Sequence, residues 1–134
     1  FVAVGRGGEQ RVWVRRLDSA AMRALTGTDG AARPFWSPDS RSVGYFANGQ
    51  LLRVEVESGE TRVLADAPYL GGLAGSWGDG VIVWKGASGF YLVPATGGGE
   101  RLLFANPEGY NPVVPDFLPD GRRFVFTQLS RRAG

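Results

Sequence analysis

The amino-acid sequence predicts an all-β fold: a β-propeller fragment of about three blades, each a four-stranded antiparallel sheet. Three observations support this prediction. A segment in which an aromatic residue precedes a tight acidic turn occurs three times, and its turn carboxylates, Asp39, Asp79 and Asp120, are spaced by 40 and 41 residues. An Arg-x-Leu tripeptide repeats independently, at two steps of 39 residues. Between these markers lie short strand-like runs separated by Gly, Pro, Asn and Asp, with no helical periodicity.

Each position of the repeated turn has a physical reason. The three copies are Ser37-Pro38-Asp39-Ser40, Gly78-Asp79-Gly80 and Leu118-Pro119-Asp120-Gly121. Proline fixes φ at about −65°, aspartate accepts hydrogen bonds from nearby backbone N–H groups, and the last position favours glycine because it needs a positive φ. Ser40 departs from glycine there, and if it adopts a positive φ, Ser40→Gly should stabilise the fold. Gly78 replaces a Ser-Pro pair, which shortens the second turn and predicts a different geometry for it.

The strands follow in order around these turns. An N-terminal partial blade, residues 1–27, lacks the innermost strand and has three predicted strands, at 1–4, 11–17 and 22–26. In the first complete blade, residues 33–67, Asn48-Gly49 is a strong signal for a two-residue hairpin because both residues tolerate positive φ. The four strands of this blade are predicted at 33–36, 42–47, 50–57 and 61–67.

The rest of the chain repeats this plan. The second complete blade, residues 73–105, has predicted strands at 73–77, 81–85, 90–96 and 101–105. A C-terminal partial blade, residues 113–129, supplies only the two inner strands, at 113–118 and 122–129. Exposed strand edges invite pairing with another chain, and a closed propeller needs at least about four blades. We therefore expect a piece of a longer polypeptide, or a homo-oligomer joined through its terminal blades, such as two chains closing one six-bladed propeller.

Large side chains at repeated positions have a packing and a ligand-binding interpretation. We expect Trp36, Trp77 and Phe117, which precede the turns, each to bury about 150–250 Å² against the neighbouring blade. Stacking on a ligand is the alternative.

An arginine begins each outermost strand, at Arg23, Arg62 and Arg101. These arginines are expected to be exposed and to lie over a neighbouring strand, the alternative being a ladder that binds anions.

Composition excludes several classes of site. The chain has no cysteine and no histidine, so Ser-His-Asp and Cys-His catalysis and zinc held by His or Cys are excluded within it. The net charge of +2 is too small to indicate nucleic acid binding. No apolar run approaches the ~20 residues of a membrane span. Since the repeated aspartates are interpreted as turn formers, too dispersed for paired acid-base work, we predict no catalytic residue, no metal site and no cofactor.

The working surface is predicted at the face that carries the loops crossing between blades and the turns between second and third strands. These segments surround the mouth of the axial channel of a propeller. Their polar and aromatic residues are candidates for contacting a protein or small-molecule ligand, and ordinary solvated loop residues are the alternative. The candidates are Asp29, Arg33, Tyr69, Lys85, Glu108, Tyr110 and Asn111.

The three turns resemble the Pro-Asp-Gly repeats of TolB-type propellers. Residues 12–19, 33–42 and 90–98 further resemble the C-terminal sensor propellers of bacterial serine/threonine protein kinases, notably those of acidobacteria. This resemblance covers nearly the whole chain. It implies a parent propeller of six to eight blades with an extracytoplasmic recognition role. No kinase motif is present, and no catalytic or binding residue is carried over from the family.

Three functions fit these observations. The leading one is a non-enzymatic interaction or sensor module that associates with further copies of itself. The second is a piece of the gating propeller of a prolyl-oligopeptidase-like serine peptidase, because such enzymes share the turn motif. The third is a fragment with no independent function. A hydrolase Gly-x-Ser-x-Gly region in the parent gene would favour the second, whereas a kinase domain with a membrane span would favour the first.

Overall fold

The computed structural model of the chain describes residues 2–4, 10–68 and 74–130, with side chains described for 10–68 and 74–130. Thirteen β-strands and no helix occur in these ranges. The strands form four antiparallel sheets that follow one another along the chain. No described helix is long and apolar enough to cross a membrane.

Two of the sheets are complete blades of four strands. In blade I the spatial order follows the sequence: β4 (Ala32–Trp36), β5 (Ser42–Ala47), β6 (Gln50–Glu55) and β7 (Thr61–Asp66). Blade II repeats that order: β8 (Gly75–Trp77), β9 (Val81–Lys85), β10 (Gly89–Pro94) and β11 (Arg101–Ala105). The second strands are almost entirely buried because both of their faces are covered by neighbouring sheets.

The end sheets have fewer strands. The N-terminal sheet has three strands, β1 (Val2–Val4), β2 (Gln10–Arg15) and β3 (Met22–Ala24). The C-terminal sheet has two, β12 (Tyr110–Phe117) and β13 (Phe124–Ser130). The first strands of successive blades, β4, β8 and β12, pack beside one another, as they do around the axis of a propeller. The predicted fold class, two complete and two partial blades of an all-β propeller, is confirmed.

The core is divided among the spaces between sheets. Alternate residues of a strand point to opposite faces, so each blade contributes to two apolar layers. Between the N-terminal sheet and blade I the layer is built on Val12, Leu25, Val43, Tyr45 and Val54. Between blades I and II it is built on Phe46, Leu51, Ile82, Trp84 and Val93. Phenyl rings fill the third space, where Phe90, Phe104, Phe124 and Phe126 meet.

Backbone conformations match the turn chemistry. Asn48 and Gly49 have φ of 51° and 75°, as the predicted two-residue hairpin requires. Ser40 has φ of 60°, the positive value that the stabilising effect of Ser40→Gly requires. Two further non-glycine residues, Arg33 and Val114, have φ of 53° and 51°. Both precede a proline at a β-bulge in the first strand of their sheet, so the two inner strands are bent in the same way.

Candidate functional site

The three repeated turns line one depression, which we call the turn cleft. Its volume is about 450 Å³. The lining includes the three turns together with two residues of blade I and one of blade II: Ser37, Pro38, Asp39, Ser42, Arg53, Trp77, Gly78, Asp79, Gly80, Pro119, Asp120 and Gly121. Residues spaced by about 40 positions therefore come together at one place because successive first strands pack side by side.

The first turn holds its carboxylate with two hydrogen bonds. Ser37 Oγ donates to Asp39 Oδ1 over 2.6 Å, and the Arg41 backbone N–H donates to the same oxygen over 3.0 Å. These bonds, the serine's first, lower the pKa of Asp39 from its ordinary value. Ser37 Oγ in turn accepts the Ser42 N–H over 2.9 Å, which joins the turn to the start of β5. The Asp39 carboxylate is thereby fixed and ionised at neutral pH.

The third turn holds its carboxylate more firmly. Asp120 Oδ1 accepts the backbone N–H groups of Arg122 and Arg123 over 3.0 and 3.1 Å, while Arg123 Nε donates to Oδ2 over 2.7 Å. The Arg122 N–H, followed by the Arg123 guanidinium, lowers the pKa of Asp120. This aspartate therefore acts mainly on its own turn, as the sequence predicts.

The second turn differs from the other two. Its backbone is joined to the third turn, because the Asp79 N–H donates to the Gly121 carbonyl over 2.8 Å. The approach is so close that a Cβ added to Gly78 would lie 2.6 Å from that carbonyl oxygen and from the phenyl ring of Phe117. In the part of the chain that the structure describes, no residue donates a hydrogen bond to the Asp79 carboxylate. Asp79 is thus the turn carboxylate available to a ligand.

Arg53 of β6 lies at the wall of the cleft and connects the two blades. Its guanidinium donates to the Ala95 carbonyl over 2.8 Å and to Ser42 Oγ over 3.1 Å, and it forms an ion pair with Glu55. Its carbon Cζ lies 5.1 Å from the centre of the Trp77 ring, which is a cation–π distance. The Ser42 hydroxyl, and after it Arg53, lower the pKa of Glu55. The charge of Arg53 is therefore offset within blade I.

Three aspartates and one arginine give the cleft its charged lining. Its aspartates present negative charge, while the Trp77 ring is already contacted by Arg53, which is itself paired with Glu55. Unengaged carboxylate oxygens such as those of Asp79 can pair with a cationic group or accept hydrogen bonds from a ligand. Within the described ranges, no group of three or more His, Cys, Asp or Glu side chains is arranged to hold a metal ion.

The residues predicted to pack before each turn have different environments. Trp77 is partly buried and lies 6.5 Å from Phe35, between ring centres. Phe117 is half-buried and contacts Phe124, with ring centres 5.8 Å apart. The expectation that Trp36 is buried is wrong, since this side chain is 50% exposed. Trp36 faces the N-terminal sheet, in which no first strand occurs among the described residues to cover it, whereas Phe35 faces blade II.

The candidates at the crossing-loop face are not gathered into one site. Asp29 is exposed and pairs with Arg11, whose Nε donates to Asp29 Oδ1 over 2.6 Å. Arg33 is exposed beside Asn48 and Gly49 at a small pocket of about 150 Å³.

The remaining candidates are scattered. Lys85 is not presented to solvent, because it is only 3% exposed and its Nζ donates to the Gly86 carbonyl. Glu108 and Tyr110 are exposed and Asn111 is half-buried, at or just before the start of β12. Tyr69 lies outside the described residues.

The cleft also contains residues that the sequence-based prediction missed. Arg53, Ser37 and Ser42 shape it, yet none of them was a candidate. One signal for Arg53 is present in the sequence: with Glu55 it lies on the same face as Leu51, in a strand whose two faces are both covered by neighbouring sheets. A charged residue at such a position requires partners within the fold, and these partners are what connect the two blades.

Comparison with known proteins defines the fold. No family model and no curated protein matches the sequence. A putative TolB from Agrobacterium tumefaciens has a TM-score of 0.77 with 16% identity, over 98% of this chain and 50% of its own. TolB from Acinetobacter baumannii has a TM-score of 0.77 with 14% identity, over 98% of this chain and 35% of its own. The chain thus spans half or less of these structures, and its fold is that of a partial TolB-type β-propeller.

Proposed function

We propose that the chain is a non-enzymatic interaction module and that the turn cleft is its ligand-binding surface. The observation that carries this proposal is the convergence of three copies of one acidic turn on a single depression. Two of the three carboxylates, Asp39 and Asp120, are engaged in their own turns. The third, Asp79, accepts no hydrogen bond from any described residue and can pair with a ligand.

The dimensions and charges of the cleft indicate the class of ligand. Its volume of about 450 Å³ lies in the range of ~300–1,000 Å³ common for small-molecule sites. It also admits one or two side chains of a protein. Because three aspartates line it and no described residue donates a hydrogen bond to Asp79, we expect a cationic group, such as a guanidinium, to be the favoured occupant.

A sensor role is the finer part of the proposal. Residues 12–19, 33–42 and 90–98 resemble the sensor propellers of bacterial serine/threonine kinases, and this resemblance supports a sensory, extracytoplasmic module of a larger protein. The sequence of the parent gene tests this part. A kinase domain and a membrane span encoded upstream would support it, and a serine hydrolase domain encoded downstream would overturn it.

Ligand binding can be tested by NMR titration of the ¹⁵N-labelled chain. The probe is a capped Gly-Arg-Gly peptide, and the same peptide with Glu in place of Arg is the control ligand. We expect the arginine peptide to shift the backbone amide signals of Asp79 and Gly80, and Asp79→Asn to reduce its affinity about tenfold, the loss of one charged hydrogen bond. Glu108→Gln, an exposed carboxylate outside the cleft, is the matched control variant.

The class of ligand and the location of the site can each be contradicted by a different result of the titration. Equal binding of the two peptides, or equal affinity of Asp79→Asn and the unmodified chain, would contradict a cationic site at this turn. Signal shifts around Glu108 instead of Asp79 would place binding at the crossing-loop face and overturn the choice of the cleft.

A further inference from the structure

Three aspartates of the chain are followed directly by glycine: Asp29, Asp79 and Asp120. In such a pair the backbone nitrogen of the glycine can attack the aspartate side chain, because glycine has no Cβ to hinder the approach. The product is a five-membered succinimide ring, which water opens to either aspartate or isoaspartate. Which pair reacts depends on whether the fold holds the carboxyl group and the glycine N–H in other bonds.

The pair Asp29-Gly30 is held at both groups. Arg11 Nε donates to Asp29 Oδ1 over 2.6 Å, and the Gly30 N–H donates to the Gln10 carbonyl over 2.8 Å. The carboxylate must leave its ion pair, and the nitrogen its hydrogen bond, before the two can join. The fold therefore protects this pair.

The pair Asp120-Gly121 is held in the same way. The Asp120 carboxylate accepts hydrogen bonds from the Arg122 and Arg123 N–H groups and from Arg123 Nε. The Gly121 N–H donates to the Leu118 carbonyl over 2.8 Å. The Arg122 N–H, followed by the Arg123 guanidinium, lowers the pKa of Asp120. Because only a protonated carboxyl group can lose water to form the ring, an aspartate held in its ionised form is protected.

The pair Asp79-Gly80 is held at neither group. Among the residues that the structure describes, none donates a hydrogen bond to the Asp79 carboxylate, and the Gly80 N–H donates to no acceptor. Both residues are exposed. A Cβ added at Gly80 would meet no atom within 4 Å, so the space on that side of the turn is open. The two reacting groups are thus available to each other.

The length of the second turn explains this difference. In the first and third turns, the N–H at the last position donates to the carbonyl three residues earlier, over 3.0 and 2.8 Å. In the second turn Gly78 replaces two residues, and its own N–H donates to the Val81 carbonyl over 2.8 Å. The hairpin is closed around Asp79 and Gly80 alone. The shorter turn therefore lacks the bond that occupies the last N–H of the other two turns.

We propose that Asp79-Gly80 is a site of spontaneous isoaspartate formation, and that the fold protects the other two Asp-Gly pairs. The Gly80 nitrogen forms a bond to Cγ of the protonated Asp79 side chain, and the carboxyl OH leaves with the nitrogen's proton as water. One water molecule then opens the ring. Its addition at Cγ restores aspartate, whereas its addition at the main-chain carbonyl carbon of Asp79 gives isoaspartate, so the overall composition is unchanged.

The product alters the backbone of the turn cleft. In isoaspartate the chain runs through Asp79 Cβ and Cγ, which adds one atom to the backbone before Gly80 and leaves the carboxylate directly on Cα. Gly78 has no room to move towards the third turn, because a Cβ there would already lie 2.6 Å from the Gly121 carbonyl oxygen. The change must be taken up on the open side of the turn, at Gly80. The reaction itself does not depend on what the turn cleft binds.

Peptide mapping of the folded chain tests the proposal. The chain is incubated at 37 °C and pH 7 in H₂¹⁸O, so that each ring opening incorporates ¹⁸O, and is then digested with trypsin in ordinary water. Cleavage after arginine and lysine places the three pairs in separate peptides, residues 24–41, 63–85 and 102–122. We expect labelled isoaspartate at Asp79 to form about tenfold faster or more than in the other two peptides, since those pairs must first give up a charged hydrogen bond.

The chain unfolded in urea is the reference, because there all three pairs lose their partners and should react at similar rates. Similar rates in the folded chain, or an Asp79 that reacts only in urea, would overturn the proposal. A preference for Asp79 that persists unchanged in urea would overturn it too, since local sequence would then set the order. Asn48-Gly49 can form the same ring with loss of ammonia, but it lies in the separate peptide 42–53.

Two variants test the chemistry and the protection. Asp79→Glu keeps the charge but would need a six-membered ring, so it should abolish the label in peptide 63–85, and circular dichroism checks that the chain is folded. Arg11→Met removes the ion pair of Asp29. It should raise the label in peptide 24–41 about two- to fivefold, the effect of one exposed ion pair, and leave Asp79 unchanged. Label that persists in folded Asp79→Glu, or an unchanged Asp29 in Arg11→Met, would contradict the proposal.

Discussion

The phenyl ring of Phe35 in blade I occupies the space directly over Gly75 in blade II, where a Cβ would lie 2.5 Å from the ring carbon Cε1. The same ring also lies against Gly44 of its own blade, so that one aromatic side chain fits between two residues without side chains. Two first strands can therefore approach closely at this point. The distance between them sets how near the turns that follow these strands come to each other, and hence the shape of the turn cleft.

Gly75→Ala should consequently destabilise the fold by about 1–3 kcal/mol, the range for adding a group to a filled space. Urea unfolding measures this loss. Phe35→Leu frees part of that space, so the double variant F35L/G75A should be more stable than the sum of the single effects predicts. Additive effects would show that the ring and the glycine are not in contact.

Arg53 is the second residue on which the contact between blades depends. Arg53→Met keeps much of the side-chain length but removes the bonds to Ala95 and Ser42, and leaves the Glu55 carboxylate without its cation. We expect a loss of about 1–3 kcal/mol in urea unfolding, since the ion pair is partly exposed and its electrostatic share is reduced by solvent.

The double variant R53M/E55Q distinguishes the loss of the Arg53 hydrogen bonds from the cost of leaving the Glu55 carboxylate without its cation. It should be more stable than R53M alone, because it does not leave a partly buried carboxylate unpaired. If R53M/E55Q is less stable than R53M, the unpaired carboxylate is not a significant part of the cost.

Acid should weaken the first and third turns. The pKa of Asp39 and that of Asp120 are lowered in the folded chain by hydrogen bonds to the ionised carboxylate. Their stabilisation is therefore complete above the unfolded pKa of about 3.9 and is lost as the pH falls through the folded value. Between about pH 5 and pH 2, a window around that unfolded pKa, the melting temperature of D39N/D120N should fall less than that of the unmodified chain.

The pH series needs a control and a reference. Asp79→Asn is the control, because its carboxylate accepts no hydrogen bond from the described residues. Some acid sensitivity should persist in D39N/D120N, because Arg16 lowers the pKa of Asp18 and Ser42 with Arg53 lowers that of Glu55. Identical acid profiles for D39N/D120N and the unmodified chain would contradict the role of these turn carboxylates.

The fold could be predicted from the sequence because its signals are local. Asn48-Gly49 specifies a hairpin through the φ angles that those two residues tolerate, and the repeated turns do the same through proline, aspartate and glycine. Once the turns are located, the strand order within each blade follows from sequence order.

The candidate site depends on relations between blades, which local signals do not specify. Asp39, Asp79 and Asp120 look dispersed along the chain, and only the side-by-side packing of first strands brings them to one cleft. Which face of a strand is covered is likewise a property of its neighbours: Trp36 is exposed because no described first strand faces it, and Lys85 is buried between sheets. A single sequence shows how often the blade repeats, but it does not show which strand faces the neighbouring blades cover.

Ser40 offers a test of the turn in which packing plays little part. It holds φ of 60° at a position where the other two turns have glycine, Gly80 at 69° and Gly121 at 66°. A left-handed conformation costs a residue with a Cβ about 1–2 kcal/mol, and glycine adds about 0.4–1 kcal/mol of entropy to the unfolded chain. Ser40→Gly should therefore stabilise the fold by about 0.5–1 kcal/mol, or raise Tm by about 2–4 °C.

The reverse change supplies the matched control. A Cβ added at Gly80 meets no atom within 4 Å, so Gly80→Ser changes the backbone preference without a clash. It should lower Tm by a similar amount. The Ser40 N–H donates to the Ser37 carbonyl over 3.0 Å and is retained in Ser40→Gly, so no hydrogen bond of the backbone is lost in that variant. A lower Tm for Ser40→Gly would mean that the Ser40 side chain contributes more to the turn than its strained backbone costs.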